Sequence, residues 1–306
     1  MDELQGHQGV WRFDGETISI HYRTGWRADP FLTALGQCHL PVAALSQVEF
    51  TPCGVRGKSW RLQLRLHDRV DPFSAVGAAL TGRGHPFVLT GDSRTELLAE
   101  YYADQFSAAA ETARGTDPVP AEQLATRLVP PLPLHVQVAE GTAFFDGETV
   151  RLVWSGWAAG SRKRKNQRRE FPLPTIRSVE WTPSDGWNEA YLRVVTHDSG
   201  STPVTKPGKD LNCLLTDSSR KEEGRMLLMA ATVTAYLWAR ESAAPAPLTA
   251  GAEGPGQLGA GTDAPVPSAA EKTVYDRIRE LGRLRDEGLL TEEEFQAKKT
   301  ELLDRL

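Results

Sequence analysis

Cysteine is scarce, and the three present, Cys38, Cys53 and Cys213, form no CxxC pair and no even-numbered set. That excludes a zinc ribbon and a disulfide framework and fits a reducing cytoplasm. Long apolar runs are missing too. The longest uncharged one lies between Arg225 and Arg240, from Met226 to Ala239, short of the about 20 residues a membrane-spanning helix needs, so it reads as a buried helix. The start, Met1-Asp2-Glu3-Leu4-Gln5, has neither the basic residues nor the apolar stretch of a signal peptide. There is no basic excess: 35 Lys and Arg face 40 Asp and Glu, so any binding of an anionic partner has to be local. No glycine-rich phosphate loop, GxSxG elbow or HExxH is present, so no catalytic residue, cofactor, metal or small-molecule substrate is inferred.

What the sequence does contain is a duplication. Phe13-Asp14-Gly15-Glu16-Thr17-Ile18 returns as Phe145-Asp146-Gly147-Glu148-Thr149-Val150. Leu40-Pro41, Leu45 and Val48-Glu49-Phe50-Thr51-Pro52 return as Phe171-Pro172, Ile176 and Val179-Glu180-Trp181-Thr182-Pro183. His67-Asp68 matches His197-Asp198, and Leu89-Thr90 with Ser93-Arg94-x-Glu96 matches Leu215-Thr216 with Ser219-Arg220-x-Glu222. Blocks recurring in one order indicate two copies of a single unit.

Within each copy apolar residues alternate with polar ones around an Asp-Gly turn, the signature of a hairpin. Trp60, Leu62, Leu64 and Leu66, and Tyr191 to Val195, add strands. Ser93/Glu96 and Ser219/Glu222 read as capping boxes opening a helix at the end of each copy. Leu97, Leu98, Tyr101 and Phe106 are expected on one face of the first helix, with Leu227, Leu228, Ala231 and Tyr236 as counterparts in the second.

The fold class expected is mainly β with capping helices (α+β). The opening hairpin, the strand entries from Leu40 to Glu49 and from Phe171 to Glu180, and the closing helix resemble a pleckstrin-homology-like domain of the bacterial kind. The pattern is also similar to a family of duplicated β-domains of unknown function from actinobacteria that carries a short C-terminal adaptor. The resemblance implies two tandem bent sheets or barrels and no activity. Residues 1–115 form the first repeat, 116–133 a Pro-rich connector without regular secondary structure, and 134–240 the second repeat. Residues 241–271, rich in Ala, Pro and Gly, form a disordered linker spanning about 30 Å.

Residues 272–306 read as two short helices, with Ile278, Leu281 and Leu284 before Gly288, a capping box at Thr291/Glu294, and Leu289, Phe295, Leu302 and Leu303 as further apolar positions. This segment resembles the short C-terminal (SHOCT-like) domain of bacterial adaptors, which implies oligomerisation or docking. A unit below about 40 residues rarely holds a core alone, so self-association or a protein partner is expected through these residues.

The second candidate site is the segment 161–169, with Arg162, Lys163, Arg164, Lys165, Arg168 and Arg169. Its counterpart in the first copy, Asp29 to Leu35, has no basic residue. In pleckstrin-homology-like domains basic loop residues receive lipid headgroups, so the resemblance implies an anionic-lipid site and a cytoplasmic protein peripheral at the inner face of the membrane. The alternative is a nucleic-acid-associated regulator binding through the same residues, weakened by the acidic remainder. The two His-Asp pairs read as structural turns, and Trp26, Trp157 and Trp187 as core or hairpin packing. Deleting residues 272–306, or Phe295→Asp, is expected to lower the oligomeric state or release a partner while both β repeats stay folded; light scattering over a concentration series and co-purification test it, and a chain that is monomeric throughout and retains nothing through its tail contradicts it.

Overall fold

Alternate burial of side chains organises the first repeat from its opening strands. In the computed structural model, which describes residues 3–54, 59–77, 80, 84–114, 120–185, 187–199, 206–217 and 219–243, β1 (Glu3–Gln5), β2 (Gly9–Phe13), β3 (Thr17–Tyr22) and β4 (Gln37–Pro41) form one antiparallel meander. Ile18, Ile20 and Tyr22 fill the buried face of β3. A second meander follows: β5 (Leu45–Thr51), β6 (Ser59–Leu66) and β7 (Val88–Asp92), with Trp60, Leu62 and Leu64 buried. Short helices interrupt each sheet, α1 (Pro30–Leu35) before β4 and α2 (Pro72–Val76) before β7. Both begin Asp-Pro: the carboxylates of Asp29 and Asp71 each accept from two amides of the first turn, where proline lacks nothing it would need. Helix α3 (Glu96–Ala113) closes the repeat.

The second repeat runs through the same order of strands, with a 3-10 turn (Pro207–Lys209) among the described residues where the first has α2. A meander of β8 (Leu134–Gln137), β9 (Thr142–Phe145), β10 (Thr149–Val153) and β11 (Arg168–Pro172) carries α5 (Ser161–Asn166) before its last strand. Then come β12 (Ile176–Thr182), β13 (Tyr191–Thr196), β14 (Cys213–Leu215) and the closing helix α6 (Arg220–Ala243). Corresponding details repeat. Asp14 accepts from the amides of Glu16 (3.0 Å) and Thr17 (2.8 Å), and Asp146 from those of Glu148 (2.9 Å) and Thr149 (2.8 Å). Gly15 and Gly147 sit at φ 106° and 103°, a backbone glycine adopts without a side-chain clash. The first of those amide bonds helps to hold the Asp14 carboxyl below its ordinary value. A register shift falls at Leu45/Gln47 in β5 and at Ile176/Ser178 in β12, so even the bulge is duplicated.

Several details depart from the reading of the sequence. Leu62 pairs with Leu89, and its counterpart Leu192 pairs with Leu214, so the last strands match one residue earlier than Leu89-Thr90 on Leu215-Thr216. Ser93 begins a 3-10 turn (Ser93–Thr95) instead of capping α3. Ser219 does accept from the Glu222 amide, at 3.4 Å, but the Glu222 carboxylate turns away to accept from the amides of Ala139 (3.1 Å) and Asp217 (3.0 Å). The connector is not irregular: α4 (Ala121–Leu128) buries Leu124, Ala125 and Leu128, and the Cys38 thiol of β4 donates to the Leu128 carbonyl at 3.7 Å. The linker expected from residue 241 begins later, since α6 runs on to Ala243; its remainder, the tail helices and the residues Ile278 to Leu303 named in them lie outside the described residues.

The closing helices show which face a helix owes to its own sheet. In α3 the buried residues are Ala99, Tyr102, Ala103, Phe106 and Ala110; in α6, Met226, Met229, Ala230, Val233 and Leu237 occupy the same pattern against the second repeat's core. Each expected face held only in part: Phe106 is buried with Leu98 packed beside it, and Tyr236 packs against the second repeat's core. Leu97 and Tyr101 are exposed, and Leu227, Leu228 and Ala231 belong to the core of the first repeat. Phe13 receives the edge of Phe106 at 5.1 Å, while its counterpart Phe145 receives Tyr236 at 5.4 Å, so a neighbouring helical position restores the aromatic contact.

Helix α6 is therefore apolar on two sides. One face covers its own strands; the other packs on α1, α2 and α4, which makes Met1–Ala246 one compact body. The backbones come close at Gly224, where a Cβ would lie 2.8 Å from the Phe31 amide nitrogen and 2.9 Å from its Cα. These are backbone atoms of α1 and cannot be rotated away. Gly224→Leu is expected to destabilise the body by about 1–3 kcal/mol in denaturant unfolding, as overpacking does, whereas Leu97→Ala at the corresponding exposed position of α3 changes stability by no more than about 0.5 kcal/mol.

Candidate functional site

The basic segment is built on a buried anchor. Of its residues, Lys163 alone points inward: it is fully buried, and its ammonium donates to both carboxylate oxygens of Glu140 at 2.9 Å. Glu140 Oε2 also accepts from the Leu215 amide at 2.8 Å, and the Lys163 ammonium lies 6.0 Å from the Trp154 ring centre. Burial pushes the Glu140 carboxyl up, opposed by the hydrogen bonds from Lys163 and Leu215. Lys163 thus joins α5 to the β8–β9 corner and to β14, and is withdrawn from the expected anion site. Every acceptor it faces is already charged and internal.

The first repeat solves the same junction without charge. Gln8 stands where Glu140 stands, accepting from the Thr90 amide at 2.9 Å and donating to the Thr90 hydroxyl at 3.1 Å. Leu32 of α1 takes the position of Lys163, and Tyr22 that of Trp154. Both short helices end in positive φ, Gly36 at 70° and Gln167 at 60°, and the following carbonyl geometry is shared: Tyr22 N donates to Gly36 O at 2.9 Å, Trp154 N to Gln167 O at 2.8 Å. What differs is the outer surface. Helix α1 spends Phe31, Leu32 and Leu35 on burial, while α5 buries only Lys163 and leaves the rest of its turn exposed.

The segment expected as a loop is thus a single-turn helix followed by β11. The Asn166 side chain donates to the Arg162 carbonyl at 2.9 Å, but among the described residues the Arg162 and Lys165 side chains themselves make no hydrogen bond or ion pair. Arg164 donates to the Trp157 carbonyl at 3.1 Å. On the strand, Arg168 lies 3.8 Å from Glu170, and Arg169 donates to Asn212 Oδ1 at 2.6 Å while stacking 5.0 Å over Phe171. Trp157, in the turn that feeds α5, is 81% exposed, and its counterpart Trp26 is 86% exposed. These tryptophans and Trp187 do not pack in a core, contrary to expectation. The recurring Gly-Trp at 25–26 and 156–157 was the signal: a tryptophan beside glycine at a turn before a short helix has little to pack against.

Other chemistry-bearing groups resolve into structure. His67 and His197 are exposed turn residues whose amides donate to Ala44 and Thr175, and among the described residues no His, Cys, Asp and Glu cluster could hold a metal. Asp71, Ser74 and His85 line one polar cleft, and Ser74 donates to Asp71 at 2.6 Å and meets His85 Nε2 at 3.0 Å. The Phe87 amide donates to His85 Nδ1 at 3.2 Å, which leaves the imidazole proton on Nε2. Burial lowers the His85 pKa, opposed by Asp71. The ring therefore donates to the serine instead of taking its proton, and the trio serves as the cap of α2. The Cys38 thiol is buried and pushed up to about 12, far from thiolate reactivity.

With this geometry described, comparison with protein families gives the classification. Residues 11–106 and 143–234 each match the domain of unknown function DUF4429, and together they take up more than half of the chain. The chain belongs to the DUF4429 family. Residues 276–303 match the short C-terminal domain, SHOCT. No curated protein matches the chain. Each DUF4429 match takes in the Asp-Gly hairpin, the short helix before the fourth strand and most of the closing helix, and leaves out α4. The DUF4429 unit therefore includes α1 in one copy and α5 in the other, the element in which the copies differ most.

The Gln8/Leu32 junction is a natural reference for Glu140/Lys163. Lys163→Leu or Glu140→Gln alone leaves one buried charge unpaired and is expected to cost about 3–5 kcal/mol. Together they reproduce the uncharged junction and recover most of that loss in a double-mutant cycle. The Thr90 hydroxyl has no equivalent at Leu215, so recovery is incomplete until Leu215→Thr is added. Calorimetry of the four chains checks the cycle, and additive losses overturn the equivalence.

Proposed function

We propose that the chain is a non-enzymatic docking protein in which a tandem of pleckstrin-homology-like modules meets an anionic membrane surface through α5, with the C-terminal segment supplying self-association. The order of a four-stranded meander, a three-stranded meander and a closing helix supports the pleckstrin-homology-like reading. The observation that carries the docking reading is the pairing of exposed Arg162, Arg164 and Lys165 on α5 with a tryptophan, Trp157, at the tip of the same turn. Tryptophan favours the level of lipid headgroups, and cations beside it meet their phosphates. No helix among the described residues is long and apolar enough to cross a membrane, so attachment in this reading is peripheral.

Magnitude sets how such docking works. Arg162, Arg164, Lys165 and Arg168 at about 1 kcal/mol each near an anionic leaflet supply about 4 kcal/mol, a dissociation constant near the millimolar range. One copy alone stays on a membrane only briefly. Self-association through residues 272–306 raises the avidity by orders of magnitude without a new contact, which gives tail and helix a joint purpose.

The test uses the full chain with phosphatidylserine-containing and pure phosphatidylcholine vesicles, alongside duplex DNA, over a salt series. Retention is expected on the anionic vesicles only, falling as salt rises. Replacing Arg162, Arg164 and Lys165 by Gln abolishes it with thermal stability unchanged, and Trp157→Ala weakens it. Retention on DNA but not on vesicles favours the nucleic-acid alternative, and equal retention of variant and parent removes α5 from the reading.

A further inference from the structure

The two closing helices carry the same inward face but opposite outward ones. On α6 the outward positions Gly224, Leu227, Leu228, Ala231 and Ala235 are buried, with Gly224 against Phe31 of α1 and the leucines and alanines in the first repeat's core. Setting the inward faces of α3 and α6 in register puts Leu97, Glu100, Tyr101, Asp104 and Ala108 at those positions on α3, and all five are exposed. Leu97 and Tyr101 are 81% and 57% exposed, two of the five exposed large apolar side chains among the described residues. The Glu100 and Asp104 side chains make no hydrogen bond or ion pair among the described residues.

The partner of this face is indicated by the element that α6 uses. Helix α6 docks on α1, and the counterpart of α1 is α5. Within one chain, α3 packs chiefly on β1, β5, β6 and the adjoining turns. An apolar pair inside the chain, α1 with α6, thus has an unpaired counterpart: an acidic-apolar face on α3 and a cationic one on α5. Phe31 corresponds to Arg162 and Ala34 to Lys165, so α5 carries cations at positions where α1 is apolar.

We propose that the outward face of α3 in one copy docks on α5 of a second copy, repeating between chains the contact that joins the two repeats within one. Leu97 in the place of Gly224 keeps the helices farther apart than α6 and α1, and the aliphatic stem of Arg162 and the ring of Tyr101 fill the gap. Exposed charge pairs gain little each, so the contact is salt-sensitive and weaker than its intrachain counterpart. Because the two faces belong to different repeats, the arrangement is head-to-tail and extends into an open array. It shares α5 with the lipid reading but does not depend on it.

Sedimentation velocity, over a range of concentrations at low and high ionic strength, tests this with the full chain, two variants of it and their mixture. Glu100→Lys with Asp104→Lys, and separately Arg162→Glu with Lys165→Glu, are expected to weaken the salt-sensitive association at least tenfold. All variants keep the tail, so its contribution is constant. An equimolar mixture of the two variants recovers association, since each supplies the face the other has lost. Association unchanged in the α3 variant, or lost in both and not recovered on mixing, overturns the proposal. Vesicle retention of the same samples separates it from the lipid reading: the α3 variant keeps its retention, and an α5 variant that loses vesicles but still associates refutes this contact alone.

Discussion

Helix α6 has to be buried on both sides, and most of the architecture follows from that constraint. A helix that closes a single repeat needs only one apolar stripe, as α3 shows with Ala99, Tyr102, Ala103, Phe106 and Ala110. Helix α6 carries a second stripe, and a second stripe in water is stable only against another surface. The first repeat provides it through α1, α2 and α4. Gly224 lets the backbones meet, Phe31 and Leu35 supply the apolar floor, and α4 covers what the connector would otherwise leave open. The tandem is thereby one body and not two beads on a string.

This division of labour explains why two copies of one unit have unlike short helices. Once α1 is committed to α6, its Phe31, Leu32 and Leu35 are buried and only Thr33 is left exposed. Its counterpart α5 carries no such duty and has been free to become cationic. Keeping a single-turn helix of charged residues in place requires an internal anchor, and Lys163 with Glu140 is that anchor. The uncharged Gln8 junction shows that an ion pair is not needed for stability there. What the pair does is fix α5 against β14 while every other cation on it faces outward.

The outward faces of α3 and α5 are then the surfaces on which docking can be built. Both are exposed, of opposite charge, and each carries a large aromatic or aliphatic side chain beside the charge, Trp157 near α5 and Leu97 with Tyr101 on α3. Electrostatic contacts of this size are individually weak and gain from repetition. In the proposed reading, self-association through the SHOCT segment is what would repeat them.

By itself the sequence determined the duplication, the Asp-Gly hairpins, the mainly β order with a closing helix, and the buried character of Met226 to Ala239. Those rest on local rules: period-two burial, turn chemistry, and the absence of charge over a run too short for a bilayer. The family match and the clustering of positive charge on one short segment were legible for the same reason. Which face of each closing helix points inward was decided only by tertiary packing, because Leu97, Leu227 and Leu228 are equally apolar in sequence and their environment depends on whether another repeat lies above them. Lys163 could not be told from Arg162 and Arg164 beside it, since its difference is a carboxylate at position 140, placed next to it by strand pairing. The helix within the connector was hidden among prolines, and it exists because α6 and β4 leave an apolar surface that Leu124 and Leu128 can cover.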